Sequence, residues 1–289
     1  MAAGVEGAIY DLGNDLVAKV WRDREMTSLA ETQAFYADLA AAGLPFRTPE
    51  ILSIEQVSGR SVTYERKLPG RQLQDRLGEA DHRADPAAAR CVTEVLRALA
   101  TVPATPAMRQ LAFLDEQQPL WAGAADFLTA LTSLVRRRAD RFGPVIRERL
   151  PDFDQRLAAL TERLCTIAIR PDAAIHGDLV AANILVDEQA RPVALLDFGF
   201  LTTAGDPALD AAIAAAILNM YGPHAAAITD ELTASFAAGL GYPAETLLLY
   251  QAAYAVATAN AFTADGSDGH FSWCVDQLRR PAVAGVLGM

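Results

Sequence analysis

Lysine is almost missing from this chain of 289 residues: Lys19 and Lys67 are the only two, and arginine carries the rest of the fixed positive charge. Cysteine is sparse as well. Cys91, Cys165 and Cys274 are odd in number and far apart, which excludes a disulfide framework and predicts buried thiols in a reducing cytoplasm. A basic excess is lacking: 25 Lys and Arg face 36 Asp and Glu, for a net charge of −11, which argues against nucleic acid as a partner. No apolar run approaches the roughly 20 residues that cross a bilayer. The Ala-rich stretch after Asp210 is short and interrupted, so no membrane partner is expected. No basic start followed by an apolar run opens the chain, so secretion is not indicated and a cytoplasmic location is expected. Internal repeats, low-complexity tracts and zinc-ligand spacings are absent.

What is present is a hydrophobic fraction of 52 %, enough for a substantial core within one unit rather than independent domains. The most telling stretch is His176-Gly177-Asp178-Leu179-Val180-Ala181-Ala182-Asn183, followed by Leu195-Leu196-Asp197-Phe198-Gly199. Ala173-Ala174-Ile175 reads as a strand entering the loop and Ile184-Leu185-Val186 as one leaving it. Asp187 to Pro192 reads as a turn, and Val193 to Leu196 as a third apolar run ending at Asp197. That order brings Asp178, Asn183 and Asp197 to one edge. An Asp there can receive the proton of an attacking hydroxyl. An Asn and a second Asp can hold Mg²⁺ on nucleotide phosphates, because phosphate and water oxygens complete the octahedron.

These motifs, with Gly205-Asp206-Pro207-Ala208-Leu209-Asp210, resemble the aminoglycoside phosphotransferase family of small-molecule kinases. The resemblance implies an α+β, two-lobed, protein-kinase-like fold. A small antiparallel sheet lobe would span 1–68, with a hinge near 64–70, and a larger, mainly helical lobe would span 69–289. It implies ATP or GTP as phosphoryl donor, held in the cleft between lobes. Two departures separate the chain from protein kinases. Gly177 stands where they carry Arg, and the few residues between Gly199 and Asp206 leave no room for an activation segment, so protein substrates are not expected.

Lys19 sits in Leu16-Val17-Ala18-Lys19-Val20-Trp21, an apolar strand pattern where an ammonium needs a reason. Its compact charge suits α- and β-phosphate oxygens better than a planar guanidinium does. A carboxylate should orient it. Glu31, inside an amphipathic helix expected over 27–42, is the first choice and Glu25 the second. Glu65 and Lys67, beside the hinge, complete the expected cofactor-binding set. Gly4 and Gly7 precede a strand without forming a G-x-G-x-x-G pattern, so the family's first strand is expected to be short or missing.

From Asp85-Pro86 onward helices are expected, near 86–99, 122–141, 153–168, 208–220, 225–240, 244–262 and 271–280, punctuated by Gly143-Pro144, Gly222-Pro223 and Gly241-Tyr242-Pro243. His176 is expected to pack, and Asp210 to accept hydrogen bonds that fix the loop. From Asp206 to the end, carboxylates far outnumber Arg279 and Arg280, a bias that would concentrate a cationic substrate. Asp265, Asp268 and His270 are the expected substrate contacts. The basic run Arg136-Arg137-Arg138 with Arg141 keeps a neutral nucleoside or macrolide open. The reading is therefore phosphoryl transfer to a small-molecule hydroxyl, most naturally of an antibiotic, by a monomer or homodimer. A metabolic kinase for choline, homoserine or a sugar is the alternative, and a nucleotide-binding pseudoenzyme the rival outside catalysis.

Overall fold

The computed structural model describes residues 2–3, 7–77 and 83–289. The chain opens with β1 (Ala2–Ala3), β2 (Gly7–Gly13) and β3 (Leu16–Trp21), then α1 (Met26–Ala41), then β4 (Ile51–Val57) and β5 (Arg60–Arg66). The five strands form one antiparallel sheet in the order β1-β2-β3-β5-β4. β1 is only two residues long and pairs Ala2 with Ile9 and Ala3 with Ala8. Gly4 of the expected glycine pair lies outside the described residues. At Gly7 a Cβ would stand 2.1 Å from the Val20 carbonyl oxygen, so strand packing alone requires glycine there.

The register sets the functional face. Lys19 lies opposite Ile9 on β2 and Thr63 on β5, and Val17 lies opposite Glu65. Cross-strand partners point the same way, so Val17, Lys19, Thr63 and Glu65 share one side of the sheet. Helix α1 packs by Leu29, Thr32, Phe35, Tyr36 and Leu39, a stripe at helical spacing. The chain leaves the sheet after Arg66, and β6 (Arg71–Gln72) already pairs with a strand of the other region.

That region contains α2 (Pro86–Leu99), α3 (Pro106–Gln110), α4 (Phe127–Arg149) and α5 (Phe153–Leu164), then β7 (Ala173–Ile175), β8 (Ile184–Val186), β9 (Pro192–Leu195) and β10 (Thr203–Gly205). The helices α6 (Pro207–Ile217), α7 (Ala225–Leu240), α8 (Ala244–Thr258), α9 (Gly269–Arg279) and α10 (Pro281–Val286) complete it. At the start of α2, the Asp85 carboxylate accepts from the N–H groups of Ala87 and Ala88, with Pro86 in the first turn. Such a cap stabilises by about 1 kcal/mol. Helix α4 corrects the sequence reading, which stopped it before Gly143-Pro144. The helix starts at the Asp126 cap and runs through Pro144, because Phe142, Gly143 and Ile146 continue its buried stripe. An interior proline costs roughly 3 kcal/mol, which burial on both sides of it offsets.

Helices α6 and α8 are the centre. Every residue from Ala208 to Ile217 is buried, and so is every one from Leu249 to Thr258, as expected for helices apolar all round. The Ala-rich stretch after Asp210 is thus a core helix. Among the described residues, no helix is long and apolar enough to cross a membrane. Cys91 and Cys274 are buried, but Cys165 is exposed at the end of α5, contrary to the expectation of three buried thiols.

Candidate active site

The His176–Asn183 loop hangs between β7 and β8, and a distant carboxylate shapes it. Asp210, wholly buried on α6, accepts from the backbone N–H of His176 at 2.9 Å and of Gly177 at 2.8 Å. Burial pushes this carboxyl up to about 6, even though both N–H groups stabilise its charged form. Gly177 has φ +79°, and a Cβ there would stand 2.5 Å from Leu201. Glycine is needed on both counts. The Thr202 hydroxyl closes the clamp by donating to the His176 carbonyl.

His176 is buried, with its ring 4.3 Å from that of Phe198. The Asp178 N–H donates to its Nδ1 at 3.2 Å, so Nε2 carries the proton and donates to the Leu196 carbonyl at 2.8 Å. Burial lowers its pKa to about 4, so near neutrality the ring is an uncharged spacer joining the loop to the strand that delivers Asp197.

Asn183 completes the loop. Its Nδ2 donates to the Asp178 carbonyl at 2.9 Å and to the Asp178 carboxylate at 3.2 Å. The amide nitrogen is therefore committed, and Oδ1 is the atom this side chain can offer a cation. The Asn183 carbonyl accepts from the Leu196 N–H at 2.8 Å, which ties Asp197 to the same loop. Asp197 itself has φ +52°, an uncommon conformation for a non-glycine residue. Its carboxylate is 58 % exposed, 3.8 Å from the Lys19 ammonium across the cleft. Phe198 holds the turn, wedged against Phe35, Tyr36 and His176. Asp178, Asn183, Asp197 and Lys19 thus stand in one connected set where the two regions meet. A half-buried carboxylate, an amide and a carboxylate oxygen open to a hard cation, and an ammonium are group types that in-line phosphoryl transfer can use.

Other expected residues fall elsewhere. Glu31 is exposed, about a quarter-turn from the face of α1 that packs on the sheet. On that face stands Thr32, held by Arg24, which also bonds Ser28. Glu65 does share the cleft with Lys19. Burial raises its pKa, the Thr63 hydrogen bond and Lys19 lower it, and Asp197 raises it. Trp21 Nε1 donates to Thr63 Oγ1 at 3.0 Å, and that hydroxyl donates to Glu65 at 2.5 Å. The sequence reading missed this relay, although strand alternation already placed Trp21 on the face of Lys19. Lys67 pairs with Asp11 at the surface, both side chains half exposed. Asp268 caps α9 through the Phe271 N–H, and Asp265 bends back to the Ser267 N–H. His270 is buried against Trp273, Tyr254 and Thr258. Burial lowers its pKa, and only 6 % of the residue is exposed. Among the described residues, no group of three or more His, Cys, Asp or Glu side chains could hold a metal.

A small antiparallel sheet region beside a larger, mainly helical one, with the His176–Asn183 loop and Asp197 at their junction, is a protein-kinase-like fold. A family model described as the phosphotransferase enzyme family matches residues 2–248. The chain belongs to that family, and so is a phosphotransferase that acts on hydroxyl groups. Solved structures agree in fold. The GDP and kanamycin complex of the aminoglycoside phosphotransferase APH(2'')-IIIa aligns with a TM-score of 0.63 at 16 % identity, covering 97 % of this chain and 92 % of the other. APH(3'')-Id from Streptomyces rimosus, in complex with ADP and streptomycin, aligns with a TM-score of 0.54 at 18 % identity, covering 85 % and 88 %. A putative aminoglycoside phosphotransferase from Ralstonia eutropha aligns at 0.52 and 14 % identity, covering 99 % and 93 %. No curated protein sequence matches the chain.

Proposed function

We propose that this protein transfers the γ-phosphoryl group of ATP or GTP directly to a hydroxyl of a small molecule, most naturally an antibiotic. The contact of Asp178 with Asn183, and of Lys19 with Asp197, carries the reading. The substrate oxygen bonds to the γ-phosphorus as the bond from that phosphorus to the β–γ bridging oxygen breaks. The hydroxyl proton passes to Asp178, leaving a phosphate ester and a nucleoside diphosphate. A positioned base contributes about 10²–10⁴-fold. Lys19 holds the α- and β-phosphates, within reach of the Asp197 and Glu65 carboxylates. Asn183 Oδ1 and Asp197 fit Mg²⁺, a hard cation that needs few protein oxygens. When bound, that ion neutralises charge on the transferring phosphate. Residues 1–68 form the nucleotide lobe in this reading, with the hinge at 64–70. Cleft residues beyond those already assigned would meet the acceptor.

Neighbouring structures holding ADP or GDP beside streptomycin or kanamycin support an antibiotic acceptor. Dependence on a nucleotide donor and three unbridged cysteines favour the cytoplasm. Incubation with ATP or GTP, Mg²⁺ and a panel of antibiotic and metabolic alcohols, read by the mass shift of one phosphate, tests the reading. Failure to consume nucleotide or to phosphorylate any acceptor would refute it.

A further inference from the structure

Phe262, between α8 and α9, and Phe200, between β9 and β10, form an aromatic shelf that the His176–Asn183 loop does not use. The rings of Phe200 and Phe262 lie 6.1 Å apart with planes only 6° from parallel. Phe200 follows Asp197 by three residues, so the stack begins at the catalytic end of the cleft. Phe262 is 60 % exposed, leaving much of a large apolar ring to solvent. Behind it, His270 stands edge-on at 5.1 Å, and Tyr254 stands edge-on to His270 and Trp273. The Tyr254 phenol lies within the field of the Asp178 carboxylate, which ties the shelf to the catalytic loop. Two polar atoms in this cluster, Asn260 Oδ1 and Trp273 Nε1, are buried without a hydrogen-bond partner. Buried groups of this kind ordinarily find a partner in protein, water or ligand.

The carboxylates of this segment bond to their own backbone. Asp268 is committed to its cap, and Asp265 accepts from its own turn. A single parallel stack also lacks the enclosing rings with which proteins hold a quaternary ammonium.

We propose that the Phe200–Phe262 shelf seats a flat, uncharged ring of the acceptor, making the substrate a ring-bearing neutral alcohol rather than a polycationic aminoglycoside. This rests on the phosphotransferase reading and names the acceptor class for the same site. The test first measures nucleotide binding to the wild-type protein by calorimetry. Initial rates of transfer then follow, with uridine and 1-phenylpropane-1,3-diol set against kanamycin, streptomycin and choline. The flat-ring alcohols are expected to be phosphorylated with the lower KM. Phe262→Ala should raise that KM roughly tenfold, the scale of one lost ring stack with its burial. Phe262→Trp should restore it, and the nucleotide KM should stay within twofold in both variants. Preferred transfer to kanamycin, streptomycin or choline overturns the shelf, as does an unchanged KM in Phe262→Ala. A wild-type protein that binds no nucleotide instead removes the phosphotransferase reading, and the shelf with it.

Discussion

Two short segments of this chain look alike as strings and behave differently as structures. His176 to Asn183 and Asp265 to His270 each hold a histidine, at least one aspartate and glycine. In the first, remote groups hold the loop from outside: Asp210, Leu196, Phe198 and Thr202. The Asp178 carboxylate accepts from the Asn183 amide at its side. In the second, the acids satisfy their own neighbours, Asp268 capping α9 and Asp265 closing its turn. What separates the two segments is that remote groups also hold the first, while the acids of the second bond within their own segment.

The comparison breaks most sharply at Asp178. Asp178→Ala should lower transfer about 10²–10⁴-fold with the melting temperature little changed. Asp268→Ala should cost stability and spare the chemical step. Steady-state kinetics and thermal melts on both variants check the contrast, and a similar loss of turnover in the two would end it. Asp197→Ala belongs with Asp178, since it removes both a proposed Mg²⁺ ligand and one partner of Lys19.

Gly177→Ala is next. The added Cβ meets Leu201, and the residue must keep φ +79°. Strain of this kind costs roughly 1–3 kcal/mol, to be read from denaturant midpoints. The same substitution at Gly269, where an added Cβ meets nothing within 4 Å, should be close to neutral.

The buried His176–Asp210 contact carries a pH signature. His176 has its folded pKa depressed to about 4 from 6.5, so its contribution is present above pH 6.5 and is lost as pH falls toward 4. Asp210 has its folded pKa raised to about 6 from 3.8, so its contribution is fullest below 3.8 and is lost as pH rises through 6. Between pH 4 and 6 the two slopes oppose each other. Asp210→Asn removes the acid's slope. The variant should be less stable throughout, and its melting temperature should fall more steeply than wild type from pH 6.5 toward pH 4. Parallel melting curves across that range would show that the two groups do not titrate as their burial requires.

Much of this architecture was legible because it is local. Alternation revealed β3 and the strands around the catalytic loop, and Asp85-Pro86 marked the start of α2. The grouping of Asp178, Asn183 and Asp197 was legible because their spacing is fixed by one strand–loop–strand unit. What escaped notice depends on phase or on long-range partners. Helix α4 passes through Pro144 because its buried stripe continues, a tertiary reward that punctuation rules do not see. The Trp21–Thr63–Glu65 relay joins strands more than 40 residues apart. His270 is polar by type but sits in an aromatic nest assembled from α8, α9 and the segment between them.

The smallest expected effects sharpen the comparison from the other side. Asp268→Ala should cost about 1 kcal/mol, the usual loss for one helix cap. Glu31→Gln should change stability by less than about 0.5 kcal/mol, as for an ordinary surface position. Its effect on the nucleotide KM should be equally slight. The sequence placed Glu31 on the right helix, but the phase of α1 turns Thr32, Phe35 and Tyr36 inward and leaves Glu31 in water. An ion pair with Lys19 would require α1 to rotate by about a quarter-turn, burying Glu31 and breaking the Arg24–Thr32 hydrogen bond. If Glu31→Gln nonetheless raised the nucleotide KM tenfold, the helix would have to adopt that second phase during turnover. The fixed packing of Phe35 and Tyr36 against Phe198 would then be the first contact to give way.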